Sequence, residues 1–253
     1  MIDVHCHILP NVDAGPKNVT ASLEMAKQVN KQGVHTIVAA PSYLNESFQN
    51  EKTAIVERVN TYAKLLAEHN IPLKVLPGQE IHLTEDLLEM FEEGKLLTIN
   101  DNGKYLLLAC PEHELPSYIE NLLYEMQLKG LVPIISQPER NERIMGQPDI
   151  IYQLVKKGAL VQLGAASIQG AFGAKVKKFA FQLLKANLAH VIASGAYQSR
   201  DSYSLKDAYA EIKKKAGIEK LYMLQENADY IVKGQMVHRE QPVRIGKKRF
   251  GIF

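Results

Sequence analysis

Short apolar segments alternate with longer amphipathic segments along almost the whole chain. The apolar segments are rich in β-branched residues, as in VHTIVAA, LVPIIS and AHVIASG. The segments between them repeat apolar residues at the three-to-four-residue spacing that is typical of helices. Several of these helical segments end at a glycine, the residue that most readily adopts the left-handed conformation after a helix, at Gly33, Gly130, Gly158 and Gly217. The pattern predicts parallel βαβ units.

The number of units favours a closed barrel over an open sheet. About seven strand–helix units follow one another, and no glycine-rich phosphate fingerprint follows an early strand, as a dinucleotide-binding sheet would require. The turn NDNG, between LLTI and KYLLLAC, predicts a hairpin-like excursion. No linker, repeat or low-complexity segment divides the chain. We therefore predict an α/β fold, a TIM-like (β/α) barrel of about seven units, as a single domain over residues 1–253.

Composition and charge exclude several classes of function. A hydrophobic fraction of 46% and a net charge of +2 give no electrostatic reason to expect a nucleic-acid partner. No apolar run approaches the roughly 18 residues of a membrane span. Asp3 and two histidines occupy the N-terminal positions where a signal peptide needs a basic start and an apolar core. Two cysteines without CxxC spacing suit a reducing compartment, so we expect a cytoplasmic protein that does not insert into membranes.

Two predicted strand ends carry candidate metal ligands. His5 and His7 are two residues apart and project to one face of the first strand, with Asp3 or another nearby carboxylate available to orient them. Two imidazoles on one face can chelate a divalent cation, although a hydrogen-bonded structural pair is the alternative. Glu80 ends another strand, in LPGQE, and either completes a His-His-Glu set or is an exposed carboxylate.

Two arginines stand at other strand ends. Arg140, in QPERN, and Arg200, after IASGAYQS, each present a guanidinium that can clamp a phosphate through two contacts. An ordinary loop ion pair, such as one between Glu139 and Arg140, is the alternative for each.

Taken together, several segments resemble one family. MIDVHCHILPNVDAG, HTIVAAP, VLPGQEI, PIISQPERN, GALVQLGAASIQGAFG and NLAHVIASGA resemble, in order and nearly end to end, the CpsB/CapC-type protein tyrosine phosphatases of the PHP superfamily. The resemblance implies a distorted (β/α)₇ barrel with a trinuclear metal site, usually described with manganese. It also implies a role in capsule or exopolysaccharide regulation, through dephosphorylation of bacterial tyrosine kinases.

Most of the metal ligands that this resemblance implies are replaced. His5, His7 and Glu80 match the family's motifs. Six other positions where the family carries an acidic residue or a histidine hold residues that ligate poorly or not at all: Ala14, Ser42, Ala109, Gln137, Gly195 and Tyr197. Because several metals close together need several anionic ligands, we expect at most one ion, manganese or zinc, or none.

Three hypotheses follow for function. The first is a pseudophosphatase that binds the phosphotyrosine tail of a bacterial tyrosine kinase through Arg140 and Arg200 without cleaving it. The second is an active metal-dependent protein tyrosine phosphatase with a reduced metal site. The third is a scaffold whose pocket serves another small ligand. The sequence leaves the oligomeric state open, a homo-oligomer included.

Overall fold

Nine parallel β-strands form the centre of the part of the molecule that the computed structural model describes, residues 1–43, 48–197 and 204–246. The strands are β1 (Ile2–Cys6), β2 (Thr36–Ala39), β3 (Ser42–Tyr43), β4 (Lys74–Pro77), β5 (Glu80–Ile81), β6 (Tyr105–Ala109), β7 (Val132–Ser136), β8 (Leu160–Gly164) and β9 (Val191–Ala193).

Helices cover the outside of these strands. They are α1 (Val19–Lys31), α2 (Lys52–Glu68), α3 (Leu87–Glu92), α4 (Ile119–Leu128), α5 (Glu142–Gly146), α6 (Asp149–Lys156), α7 (Ala165–Gln169), α8 (Gly173–Lys185), α9 (Leu205–Ala216) and α10 (Ile218–Val232). Two short 3₁₀ turns span Ile99–Asp101 and Pro138–Arg140.

The strands close into a barrel with seven staves. Hydrogen bonds join them in the orders β1-β2-β4 and β3-β5-β6-β7-β8-β9, and every pairing is parallel. Only two residues separate β2 from β3 and β4 from β5, so each pair acts as one interrupted stave. The Gly195 amide donates to the His5 carbonyl and the His7 amide to the Ala196 carbonyl, both at 2.9 Å, which closes the ring between β9 and β1. The predicted distorted (β/α)₇ barrel is confirmed.

Alternation along the strands separates two apolar layers. On β6, Tyr105 and Leu107 join an inner cluster with Ile134 and Leu160, whereas Leu106 packs in the larger layer between strands and helices. The inner cluster also contains apolar residues of α10, so this helix covers the barrel interior at the end opposite the carboxyl ends of the strands. The buried polar side chains His7, Glu80 and Ser136 lie at or just after the carboxyl ends of their strands, the end at which barrels of this type carry their sites.

Two elements differ from the sequence prediction. The segment before NDNG is not a strand: Thr98 accepts a hydrogen bond from Asp101, and the turn packs on α10 through the Asn102 amide, which donates to Ile231. The predicted hairpin-like excursion is therefore wrong. Helix α10 was not predicted, because it follows α9 after Gly217 with no intervening strand.

No helix among the described ranges has both the length and the apolar character that crossing a membrane requires.

Candidate functional site

The carboxyl ends of β1 and β5 bring His5, His7 and Glu80 together inside the barrel. The two Nε2 atoms lie 2.9 Å apart, and the Glu80 carboxylate oxygens lie 3.5 Å from His5 Nε2 and 3.6 Å from His7 Nε2. Glu80 is only 8% exposed and each histidine 1% exposed. The alternative of an exposed strand-end carboxylate is therefore wrong for Glu80.

Buried acceptors fix both imidazoles in one orientation. Asp13 Oδ2 lies 2.6 Å from His7 Nδ1, and Gln162 Oε1 lies 3.1 Å from His5 Nδ1. Since the Gln162 amide nitrogen donates to the Leu163 carbonyl, its oxygen must face His5. With hydrogens on both Nδ1 atoms, the two Nε2 atoms direct lone pairs toward each other and toward the Glu80 carboxylate. A bound proton or a cation relieves that repulsion, which is the arrangement expected of a metal-binding pair.

The protonation states of these groups suit cation binding. Burial lowers the pKa of His5, so its ring is neutral at pH 7. Burial alone would raise the pKa values of Glu80 and Asp13, but the adjacent histidines outweigh it and both values fall below their usual range. Neutral imidazoles and ionised carboxylates are the forms in which these side chains ligate metals.

Asp3 does not orient the histidine rings, although it shares their strand. Its carboxylate accepts the backbone N–H groups of His5 and Ser194, at 3.3 and 3.0 Å. Burial raises the pKa of Asp3 to about 6. Asp3 thus helps to join β1 to the end of β9, and Asp13 has the orienting role.

Tyr197 covers one side of this group. Its ring stacks on the His7 ring with centroids 3.8 Å apart and planes 11° apart, and its hydroxyl is hydrogen-bonded to the Ser42 side chain. Burial, followed by the charges of Glu80 and Asp13, raises the pKa of the Tyr197 hydroxyl. The phenol is therefore neutral, and its ring takes up the space beside His7.

Gln137 fills the neighbouring strand end. Its backbone is left-handed, with φ of +46°, and its side-chain oxygen accepts from Arg140 Nη1 at 3.4 Å. A Cβ atom at position 195 would overlap Gln137 Nε2, and Gly195 itself has φ of +55°. The Gln137 amide thus occupies the space that a side chain at position 195 would need.

The described residues bring one set of candidate metal ligands together. Across the described residues, His5, His7 and Glu80 form the one group of three or more His, Cys, Asp or Glu side chains able to share an ion, with ligand atoms within 4.8 Å of one another. Of the other positions expected from the resemblance, Ala109 lines the adjoining pocket and Ala14 is exposed on a loop. Neither offers a ligating side chain.

Arg140 stands at the mouth of a pocket of about 420 Å³ that reaches Glu80 and Tyr197. Its guanidinium donates to Glu112 and lies 4.3 Å from the centre of the Phe172 ring. Glu139 points the other way and accepts the Gly164 amide at 2.8 Å, so the proposed Glu139–Arg140 pair does not form. Burial raises the pKa of Glu139 to about 7. Arg200 lies outside the described residues.

Sequence reasoning missed several side chains around the site. Ser136 donates its hydroxyl to oxygens of Glu80 or Gln162, at 3.2 and 3.1 Å, and His82 lines the pocket two residues after Glu80. Gln162 is the one polar residue in the apolar strand LVQLG, a signal that identifies it as inward-facing at a strand end. Contacts of Arg140 with Glu112 and Phe172 carried no such signal, because they join loops that are distant in sequence.

Neither cysteine suits nucleophilic chemistry. Cys6 is buried in the larger apolar layer between strands and helices. Burial raises the pKa of Cys110 to about 12. A thiol with a raised pKa is a poor nucleophile at neutral pH.

Known proteins match this chain over nearly its whole length. A family model described as capsular polysaccharide synthesis, CpsB/CapC, matches residues 1–233. The tyrosine-protein phosphatase YwqE of Bacillus subtilis is 39% identical over 255 residues, covering 100% of both chains. The tyrosine-protein phosphatase CpsB of Streptococcus pneumoniae is 30% identical over 245 residues, covering 94% of this chain and 100% of the relative.

A solved structure agrees with the fold. One chain from the crystal structures of YwqE and CpsB, described as unique metal-dependent tyrosine phosphatases, superposes with a TM-score of 0.94 at 39% identity. The match covers 98% of this chain and 100% of the other.

Proposed function

Because this chain belongs to the CpsB/CapC family, we propose that it binds a phosphotyrosine-containing segment of a partner protein and hydrolyses it slowly or not at all. The observation that carries this proposal is the composition of the site. His5, His7 and Glu80 suffice for one cation, while the side chains of Gln137 and Tyr197 take up the adjacent space.

We propose manganese or zinc as the ion and His5, His7 and Glu80 as its ligands. A divalent cation there would acidify water and draw charge from a phosphoryl oxygen. Asp13 holds the His7 ring in the orientation that presents Nε2, and Gln162 does the same for His5. Two-metal sites stabilise the attacking and the leaving oxygen together, a division of labour that one ion does not provide.

Recognition of the phosphate is assigned to Arg140. Its guanidinium already lies at the pocket mouth, 4.3 Å from the centre of the Phe172 ring, and can exchange its contact with Glu112 for a phosphate oxygen. The pocket of about 420 Å³ is large enough for a tyrosine ring. We further propose that the partner is the tail of a bacterial tyrosine kinase in the cytoplasm, because the family is described by capsular polysaccharide synthesis. Either a monomer or a homo-oligomer is compatible with this proposal, and light scattering distinguishes them.

A second candidate is a working phosphatase with a single ion. The observation in its favour is the retained pair of oriented imidazoles, with Nε2 atoms 2.9 Å apart beside the Glu80 carboxylate. Relatives named tyrosine phosphatases also favour it. The two candidates differ in turnover, not in what the pocket binds.

The first experiment counts ions. The protein is saturated with manganese or zinc, freed of excess metal and analysed by mass spectrometry, beside His7→Ala and a control, His69→Ala, at an exposed helix end. We expect about one ion per chain, lost in His7→Ala and kept in His69→Ala. About three tightly held ions would contradict the proposal.

The second experiment measures binding and phosphate release on the same samples. A fluorescent phosphotyrosine peptide should bind wild type and an Arg58→Ala control alike, because Arg58 is exposed on α2, and should bind Arg140→Ala more weakly. Phosphate release that requires both metal and His7 favours the second candidate. No binding by any form would contradict both candidates and favour a pocket for another ligand.

A further inference from the structure

A groove between α8 and α9 concentrates positive charge on a chain whose net charge is only +2. The two helices carry four lysines each, against Asp207 and Glu211. The groove measures about 510 Å³, and Lys177, Lys178, Lys185 and Lys215 line it around the Phe181 ring.

Few of these ammonium groups are neutralised. Glu211 is shared between Lys177 and Lys215, at 2.7 and 2.9 Å, so one carboxylate serves two cations. Lys178 and Lys185 are exposed and form no ion pair with any residue inside the described ranges. Four ammonium groups that share one carboxylate create a local positive field that attracts an acidic ligand.

The groove begins beside the candidate site. Phe172, which supports Arg140 at the pocket mouth, immediately precedes α8. With a rise of about 1.5 Å per residue, Lys178 and Lys185 lie ~9 and ~20 Å along the helix from Phe172. An extended peptide advances about 3.3 Å per residue, so at least ~3 residues are needed to reach Lys178 and at least ~6 to reach Lys185.

We infer that the groove binds an acidic stretch of the same partner segment whose tyrosine enters the pocket, with Asp or Glu about three to six residues from that tyrosine. This inference rests on the proposed function for the link between the two surfaces. The concave shape and the Phe181 floor suit an extended peptide better than a flat lipid surface. Beyond Lys215 the surface carries charges of both signs, Glu219, Glu226 and Glu240 beside Lys220 and Arg239, so the positive charge does not continue as the uniform stripe that a long polyanion such as a nucleic acid requires.

Three fluorescein-labelled peptides of equal length test this inference. The first carries phosphotyrosine and a run of Glu at the predicted spacing, the second replaces Glu with Gln, and the third keeps Glu but replaces phosphotyrosine with Phe. Affinities are measured by anisotropy for wild type, for Lys178→Glu/Lys185→Glu and for a control, Lys27→Glu/Lys31→Glu. The control changes two exposed lysines of α1 and alters net charge equally.

We expect wild type and the control to bind the Glu peptide about fivefold more tightly than the Gln peptide at low salt, with a smaller ratio at high salt. In Lys178→Glu/Lys185→Glu the ratio should fall to one or below, with circular dichroism and the thermal midpoint unchanged. Equal affinity for both peptides in wild type, or equal losses in both variants, would overturn the inference.

Failure of the proposed function has a separate signature. If the two Glu peptides, one with phosphotyrosine and one with Phe, bind equally, the pocket does not recognise phosphate, although the groove still binds acidic residues. A final experiment measures binding of the same protein variants to vesicles that contain phosphatidylglycerol. Vesicle binding that is lost in Lys178→Glu/Lys185→Glu and kept in the control would assign the groove to a lipid surface and overturn the inference.

Discussion

Glu139 makes the stability of this fold depend on pH, and one substitution should remove that dependence. The side chain is fully buried beneath the pocket, and its Oε1 accepts the Gly164 amide at 2.8 Å. Burial raises the pKa of Glu139 from 4.5 to about 7, although the Gly164 amide, the Ser167 hydroxyl and Arg140 oppose the change.

The direction of the pH dependence of stability depends on whether the folded or the unfolded state holds the Glu139 proton more tightly. Between pH 4.5 and about 7 the folded protein keeps a proton on Glu139 that the unfolded chain releases, so stability falls as pH rises through this window and then levels off. At about 1.4 kcal/mol per pKa unit, the loss is about 3 kcal/mol. Glu139→Gln keeps an oxygen for Gly164 and never ionises. Its amide nitrogen can donate to the Ser167 hydroxyl, which interacts with the Glu139 carboxylate in wild type.

Chemical denaturation at pH 4 to 8 measures this effect. We expect Glu139→Gln and wild type to be similarly stable near pH 4, and the variant to be more stable by about 3 kcal/mol at pH 8. Glu57→Gln, at an exposed position on α2, is the matched control and should show a difference that does not vary with pH. A Glu139→Gln variant that is less stable than wild type at pH 8, or a difference independent of pH, would refute the reasoning.

Three further predictions concern the site. Gly195→Ala should lower the free energy of unfolding by about 2–4 kcal/mol in denaturant unfolding, because Ala is strained at φ of +55° and its Cβ overlaps Gln137. Adding Gln137→Ala should recover about 1 kcal/mol, and strictly additive effects of the two substitutions would contradict the overlap. Asp13→Asn should weaken metal binding about 10- to 100-fold in competition with a chelating dye, because Asp13 orients His7, and unchanged affinity would exclude that role. Cys110 should react with iodoacetamide at pH 8 far more slowly in the folded than in the unfolded protein, since burial raises its pKa to about 12, and equal rates would disprove this.

The barrel was predictable because strands buried on both faces and helices with one apolar face leave distinct patterns. The same logic predicted that His5, His7 and Glu80 would meet, since parallel strands end at one rim. It failed for Asp3, which the strand period places with the histidines. The pairing of β1 with β2 shifts register between Asp3 and Cys6, and the backbone N–H groups of His5 and Ser194 donate to the Asp3 carboxylate instead. Periodicity predicts which face of a strand a side chain occupies, but not which neighbouring hydrogen-bond donor it contacts.

Loop contacts were beyond prediction for a related reason. Glu112 and Phe172 meet Arg140 from loops that follow different strands, and no periodic pattern encodes such meetings. Proximity in sequence suggested an ion pair between Glu139 and Arg140. This pair does not form, because Glu139 accepts a buried hydrogen bond from the Gly164 amide. Adjacent residues on a tight turn often point apart, so sequence neighbours are weak evidence for an ion pair.

The residues at positions 42, 137, 195 and 197, where the resemblance implied metal ligands, are packed against one another. Gln137 occupies the space that Gly195 leaves, and the Tyr197 hydroxyl bonds to Ser42 while its ring lies on His7. An acidic residue introduced at position 195 alone would meet the Gln137 amide, so it adds a ligand only if that neighbour moves. The side chains at these strand ends therefore form one packed arrangement, in which a change at one position requires an adjustment at the next.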